Sequence, residues 1–260
     1  MQNPPLTITF LGTGTSSGVP MIGCNCEVCQ SNNPKDKRLR SSILICSATT
    51  RIVIDTTPDF RYQMLRINNQ QLDAVVYTHA HKDHIAGLDD VRAYNFTQQR
   101  AMDIYATEAT QAALKKEFAY AFADHKYPGV PELRLHTIAT APFQIGDIYF
   151  EPIQVWHHKM PVLGFKLGNF IYITDANAID TEELEKLYDA DILVLNALRK
   201  EAHISHFTLS QAVDIVTRTK AKQAYFTHIS HQLGLHNAIN ASLPPNISLA
   251  YDGLTLQIKK

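Results

Sequence analysis

Apolar and polar positions along this chain alternate in short runs with a two-residue period, interrupted by a few segments of helical period. Residues 6–11 alternate like a strand and run into the glycine-rich turn Gly12-Thr-Gly14-Thr-Ser-Ser-Gly18. Residues 40–47 and 51–55 predict a hairpin, with Cys46 a small core residue inside it. A short helix is expected over 59–66 and a buried, β-branched strand over 74–77. Helical patterning follows over 88–95 and 108–123, on either side of a strand at 102–105. Beyond a loop broken by Pro128, Gly129 and Pro131, strands are predicted at 133–138, 143–145 and 148–156. A hairpin about Gly168-Asn169 then joins 164–168 to 170–174. Further on come a helix at 182–188, a strand at 190–195, a helix at 208–218 capped from 205–208, and a strand at 222–227. A final strand pair is expected around Gly253. With no repeat, low-complexity tract or linker, the pattern predicts one domain over residues 1–260, built of two β-rich halves.

Strand after strand ends in a side chain able to bind metal: Tyr77 precedes His79, Trp156 precedes His157, Ile173 precedes Asp175, and Phe226 precedes His228. Ligands carried on strand ends converge on one edge of a sheet sandwich. The densest group is His79-Ala-His81-Lys-Asp83-His84, at the end of a run that is apolar almost to the cluster. Buried polar groups need partners, and imidazoles with carboxylates suit zinc, manganese or iron. A second cluster, Cys24-Asn-Cys26-Glu-Val-Cys29, is spaced awkwardly for disulfides and naturally for thiolates on one ion. Such a site needs a fourth ligand from elsewhere. The glycine-rich turn either cradles phosphate on its amides or is only a tight turn; it lacks the Walker lysine. Asp55, after its strand, reads either as a carboxylate supporting a ligand or as a turn former.

Composition narrows the class. The chain has 260 residues, 45% hydrophobic and 19% charged, as in soluble globular proteins, and a formal net charge of -1. That balance argues against a broad nucleic-acid footprint; the basic run Lys35–Arg40 is read as a solvated loop. No apolar stretch reaches bilayer length, and the first ten residues lack a basic region followed by an apolar one. Together with the clustered cysteines, this predicts a reduced, cytoplasmic protein.

The pattern His79-x-His81-x-Asp83-His84, followed by His157, Asp175 and His228, resembles the metallo-β-lactamase superfamily over nearly the whole chain. The resemblance implies an α/β (α+β) fold, a four-layer αββα sandwich. Within it, the glycine-rich turn, the cysteine cluster and His228-x-x-His231 are similar to the PhnP-type phosphodiesterases, which hold two active-site metals and a separate structural zinc. Carried over by position, His79, His81 and His157 would bind one ion, and Asp83, His84 and His228 the other. Asp175 would bridge the two, which would be manganese or zinc, and position the nucleophile. Cys24, Cys26, Cys29 and His231 would hold the structural zinc. His157 is preferred over His158 because Pro152 precedes it at the spacing of the similar stretch. His206-Phe-Thr208 resembles the H-x-[ST] element that supplies a general acid, leaving His203 as a neighbouring polar group. Arg199 would hold a phosphoryl oxygen through its fork of donors.

The function this implies is hydrolysis of a small phosphodiester, a cyclic ribose phosphate or a nucleotide. A hydroxide shared by two metals would attack, and His206 would protonate the leaving oxygen. The expected partner is that small molecule, with no membrane and no nucleic acid; the resemblance also implies a homodimer. Two rivals stand beside it. A ribonuclease-Z-like nuclease would be expected to carry a glycine- and proline-rich basic arm, which is not seen. A non-catalytic protein like PqqB would share the cysteines but lack part of the ligand set, which here is complete.

Overall fold

The computed structural model describes residues 5–258; residues 1–4, part of the stretch read above for a secretory signal, and residues 259–260 lie outside it. In chain order, the first sheet contains β1 (Leu6–Gly12), β2 (Ser42–Cys46), β3 (Arg51–Ile54), β4 (Ala74–Val76), β5 (Met102–Ala106) and β6 (Leu133–Thr137). The second contains β7 (Phe143–Ile145), β8 (Ile148–His157), β9 (Met160–Leu167), β10 (Phe170–Tyr172), β11 (Ile192–Asn196), β12 (Gln223–Thr227) and β13 (Ile247–Leu249). The last strand, β14 (Thr255–Ile258), returns to the first sheet and lies antiparallel on β1. Both sheets follow one pairing pattern, three antiparallel pairs and then three parallel ones.

Strand alternation sorts the core. Ile52 and Ile54 of β3 point between the sheets with Ile8, Phe10, Phe150, Phe165 and Tyr172, whereas Val53 points outward. Outside the first sheet, Val53, Val75 and Ile104 pack on Phe60 and Met64 of α2 (Phe60–Arg66), Tyr94 of α4 (Arg92–Gln98) and Leu114 of α5 (Glu108–Glu117). Outside the second, Ile171, Leu193 and Phe226 pack on α6 (Thr181–Glu185), α7 (Leu209–Thr219) and α8 (His236–Ser242). The result is the four-layer αββα sandwich. Burial on both faces is why strands such as β4 and β11 read as unbroken apolar runs. Helix α7 begins as its sequence suggests: Thr208 Oγ1 accepts from the Gln211 amide at 3.2 Å, and Gln211 Oε1 accepts from the Thr208 amide at 2.9 Å.

Four local expectations change. The helix expected to reach residue 123 stops at Glu117, because the chain turns Phe118 and Ala121 into the core through a 3₁₀ turn. Strand β9 starts at Met160, before the predicted residue 164, since His158, in the left-handed region at φ 58°, makes a tight turn straight from β8. The two strands near Gly253 do not pair: β13 joins β12, β14 joins β1, and the turn between them crosses from one sheet to the other. The basic run 35–40 is not simply solvated. Arg38 is 4% exposed and donates to Thr13 Oγ1 (2.7 Å), the Ala250 carbonyl (2.6 Å) and His236 Nδ1 (3.0 Å). Burial brings its pKa down to about 10.

Candidate metal centre

The ends of β4, β8, β10 and β12 bring their ligands together. His79, His81 and His157 each offer a nitrogen within 4.8 Å of the others, and so do the ligand atoms of Asp83, His84, Asp175 and His228. Asp175 also groups with His157 and His206, so its carboxylate stands where the two sets meet. The split coincides with the short helix α3 (Lys82–Ile85), which starts directly after His81 and carries Asp83 and His84 into the group with Asp175 and His228. The α1 helix (Glu27–Gln30) does the same service for the cysteines, folding Cys29 back beside Cys24 and Cys26.

His79, His84, His157 and His228 are each held by the outer nitrogen. Asp55, in the left-handed region at φ 66°, accepts from the Thr78 amide (2.9 Å), Thr78 Oγ1 (2.8 Å) and His84 Nδ1 (2.7 Å). Since the Thr78 hydroxyl donates to Asp55, it accepts from His79 Nδ1 at 2.9 Å. One carboxylate therefore orients a histidine in each set, one directly and one through Thr78. His157 Nδ1 donates to the Ser205 carbonyl at 2.8 Å, and His228 Nε2 lies 3.1 Å from Thr15 Oγ1. Thr174 Oγ1 donates to Asp175 Oδ2 at 2.6 Å.

The inward atoms are left over. His79 Nε2, His84 Nε2, His206 Nδ1 and His228 Nδ1 are buried without a hydrogen-bond partner, which is costly unless a ligand takes them up. The charges agree with that. Burial alone would raise the Asp175 carboxyl, yet His228 and His84 hold it well below the usual carboxylate range. His84 is the exception: burial alone would lower it, but Asp175, Asp83 and Asp55 outweigh that and push it well up, so its proton must leave before Nε2 can ligate. Burial lowers His79, His81 and His228, keeping their imidazoles neutral, as ligation requires. Anionic carboxylates and neutral imidazoles aimed inward fit two divalent ions, of the kind nitrogen and oxygen donors favour.

The thiolate group is a separate centre. Cys24, Cys26, Cys29 and His231 lie within 4.8 Å of one another, with His231 Nδ1 3.5 Å and 3.3 Å from Sγ of Cys24 and Cys26. The His231 hydrogen bond draws the Cys26 thiol down to about 6, whereas burial pushes Cys29 up to about 11. Three sulfurs and one imidazole make a closed zinc set.

The remaining sequence candidates separate clearly. His157 is buried on the strand end and faces the cluster, whereas His158 is exposed in the turn and uses its amide on Asn177 Oδ1 at 2.6 Å. His206 is buried, Nδ1 lying 3.8 Å from Asp175 Oδ1. His203, half-buried, sits beside it and accepts from the Ser205 amide at 3.3 Å. Arg199 does not present a free fork: it donates to the Glu201 and Ala202 carbonyls of its own loop (3.4 and 3.0 Å) and to Gln232 Oε1 of the segment after β12 (2.7 Å). The glycine-rich turn is not arranged as a phosphate cradle. The amides of Gly14, Thr15 and Gly18 already donate to the carbonyls of Leu39 (2.7 Å), Ile229 (3.1 Å) and Thr15 (2.8 Å). Thr78, Thr15 and the Ser205 carbonyl had no signal of their own in the sequence; only Asp55, at the end of a strand, gave a hint.

Comparison with known proteins places these features in context. A family model described as the beta-lactamase superfamily domain matches residues 50–229. A solved structure described as a new diphosphatase from the PhnP family is 42% identical, with a TM-score of 0.92 over 98% of each chain. An octanoyltransferase of Porphyromonas gingivalis is 40% identical over 248 residues, 94% of this chain and 50% of that protein. A ribonuclease Z of a Nostoc species is 26% identical over 168 residues, 63% of this chain and 46% of that one. The chain thus spans about half the length of these two curated relatives.

Proposed function

This chain belongs to the beta-lactamase superfamily, in its PhnP-like branch, and on that premise we propose that it is a metal-dependent hydrolase of small phosphodiesters. The observation that carries the reading is that His79, His84 and His228, anchored through their outer nitrogens, leave their inward nitrogens buried without a partner, with Asp175 grouped with members of both sets. His79, His81 and His157 would hold one ion and Asp83, His84 and His228 the other, with Asp175 common to both. Divalent ions bound there supply the charge that activates water and neutralises the phosphoryl oxygens; zinc or manganese would serve.

The chain's own groups do the rest. Asp175 Oδ2 accepts from Thr174 and lies 3.2 and 3.1 Å from His84 Nε2 and His228 Nδ1, while Oδ1 lies toward His206, where it would orient the attacking water. Held well below the usual range, the carboxylate stays ionised at working pH. Burial, with His228 alongside, brings His206 down to about 3, so it is neutral at rest. A phosphoryl anion arriving in front of it favours the imidazolium, so His206 takes up its proton with the substrate and delivers it to the leaving oxygen. Cys24, Cys26, Cys29 and His231 would carry a zinc that shapes the fold rather than the reaction.

A diphosphate substrate is the second reading, favoured by the name of the 42% identical relative. The octanoyltransferase name is not carried over, since the chain spans only half of that protein. Metal analysis combined with cyclic phosphates, linear diesters, a dinucleoside diphosphate, monoesters and precursor tRNA tests the proposal. Turnover of the small diesters is expected. Efficient tRNA cleavage with poor small-substrate turnover would favour the ribonuclease Z reading. A chain holding only thiolate zinc and turning over nothing would favour a PqqB-like binding role.

A further inference from the structure

The glycine-rich turn has no part in the chemistry above, yet its contacts give it a task. Thr15 is 7% exposed, and its hydroxyl meets His228 at Nε2, the nitrogen opposite the one that faces Asp175. The Ile229 amide donates to the Thr13 carbonyl at 2.9 Å and the Thr15 amide to the Ile229 carbonyl at 3.1 Å, a short parallel ladder. The turn is pressed from its other side as well. A Cβ on Gly14 would lie 2.9 Å from the Arg38 carbonyl and 3.0 Å from that of Leu39, so only glycine lets the two segments approach. His228 itself sits in the left-handed region at φ 55°, a conformation that a non-glycine residue keeps only where its surroundings impose it. Three residues on, His231 reaches Cys24 and Cys26.

We infer that Thr15 is a positioning residue for the metal centre, and that residues 13–15 with 228–231 form a strap through which the thiolate cluster sets the His228 ring. The inference rests on the two-metal reading for the role of His228, but not on the identity of the substrate. Its physical content is that a loaded thiolate site fixes His231, His231 fixes the short segment before it, and Thr15 fixes the ring itself. Loss of either anchor loosens the same ligand.

The test measures metal, not turnover. Equilibrium competition against a fluorescent chelator, with metal per chain by mass spectrometry and fold by circular dichroism, is applied to Thr15→Val, Thr15→Ser, His231→Gln and the pair Thr15→Val/His231→Gln. Thr15→Val is expected to keep its thiolate zinc and to bind the weaker active-site ion about 10- to 100-fold less tightly. Thr15→Ser, which keeps the hydroxyl, is expected to bind within a few-fold of the parent; Thr15→Ala replaces Thr15→Val if the latter does not fold. The double variant is expected to bind no worse than the weaker single one, the mark of one shared path. Unchanged affinity in Thr15→Val, or losses that multiply in the double variant, would overturn the strap. Failure of the diester panel with these affinities as expected would sink the substrate reading and leave the strap standing.

Discussion

Asp55 and Asp175 lie on opposite sides of one imidazole: His84 Nδ1 is 2.7 Å from Asp55 Oδ2, and His84 Nε2, which has no hydrogen-bond partner, is 3.2 Å from Asp175 Oδ2. The two aspartates occupy matching places. Each follows the strand at which antiparallel pairing gives way to parallel, β3 in one sheet and β10 in the other, and each has a left-handed backbone. One copy of the arrangement anchors a histidine; the other carries the aspartate proposed as the shared ligand.

Asp55→Asn keeps the shape but puts an amide where two donors now point. Both ligand sets are expected to weaken, because the same carboxylate fixes His84 directly and His79 through Thr78. A fall of about 10- to 100-fold in metal affinity is expected. Metal titration followed by calorimetry reads it; parental affinity for both ions would refute the anchor role.

His206→Ala is expected to slow aryl phosphodiester hydrolysis by roughly 100-fold or more while active-site metal content stays the same. A rate equal to the parent's would remove His206 from the mechanism.

His236, accepting from Arg38, gives a pH signature of its own. Burial, then the nearby Arg38 and Lys35 charges, lower it to about 4, against about 6.5 in an unfolded chain. The folded form therefore resists protonation. The associated stability is complete above about pH 6.5 and is lost as the pH falls toward about 4. Urea melts at pH 7.5 and pH 5 are expected to show a loss of about 2 kcal/mol from this group, which His236→Asn should largely abolish. An identical loss in the variant would assign it elsewhere.

Gly87→Ala tests how closely the metal-bearing turn is pressed onto its neighbour. A Cβ there would sit 2.1 Å from the Thr57 carbonyl oxygen and 2.7 Å from Phe60 Cβ, neither of which can swing away cheaply. Destabilisation of roughly 1–3 kcal/mol or more is expected in urea melts. A variant as stable as the parent would show that the turn has room to shift.

The candidate ligands stand out in the sequence because their chemistry is so poorly suited to the place where they stand: imidazoles and carboxylates at the ends of apolar strands need a reason. The layered fold was legible as an expectation from the motif's family likeness, and strand by strand from β-branched runs. What stayed hidden depends on contacts between distant residues. No local pattern tells that Thr15 meets His228, that Ser205 offers its carbonyl to His157, or that Arg38 leaves a basic run to enter the interior. The contacts of Arg199 are hidden for a related reason, since a forked donor pairs as readily with carbonyls of its own loop as with a phosphate. The segment around Gly253 read as a hairpin because alternation gives a strand's faces but not its partner.

That last strand matters beyond topology. β14 covers the open side of β1, and Thr7 and Thr9 reach across to Gln257 and Thr255. None of the candidate ligands lies on it. A chain shortened at Gly253 would keep every one of them and yet offer Leu6–Gly12 as a bare edge, ready to pair with another molecule. Such a protein would fail by clumping into insoluble aggregates, not by losing its chemistry.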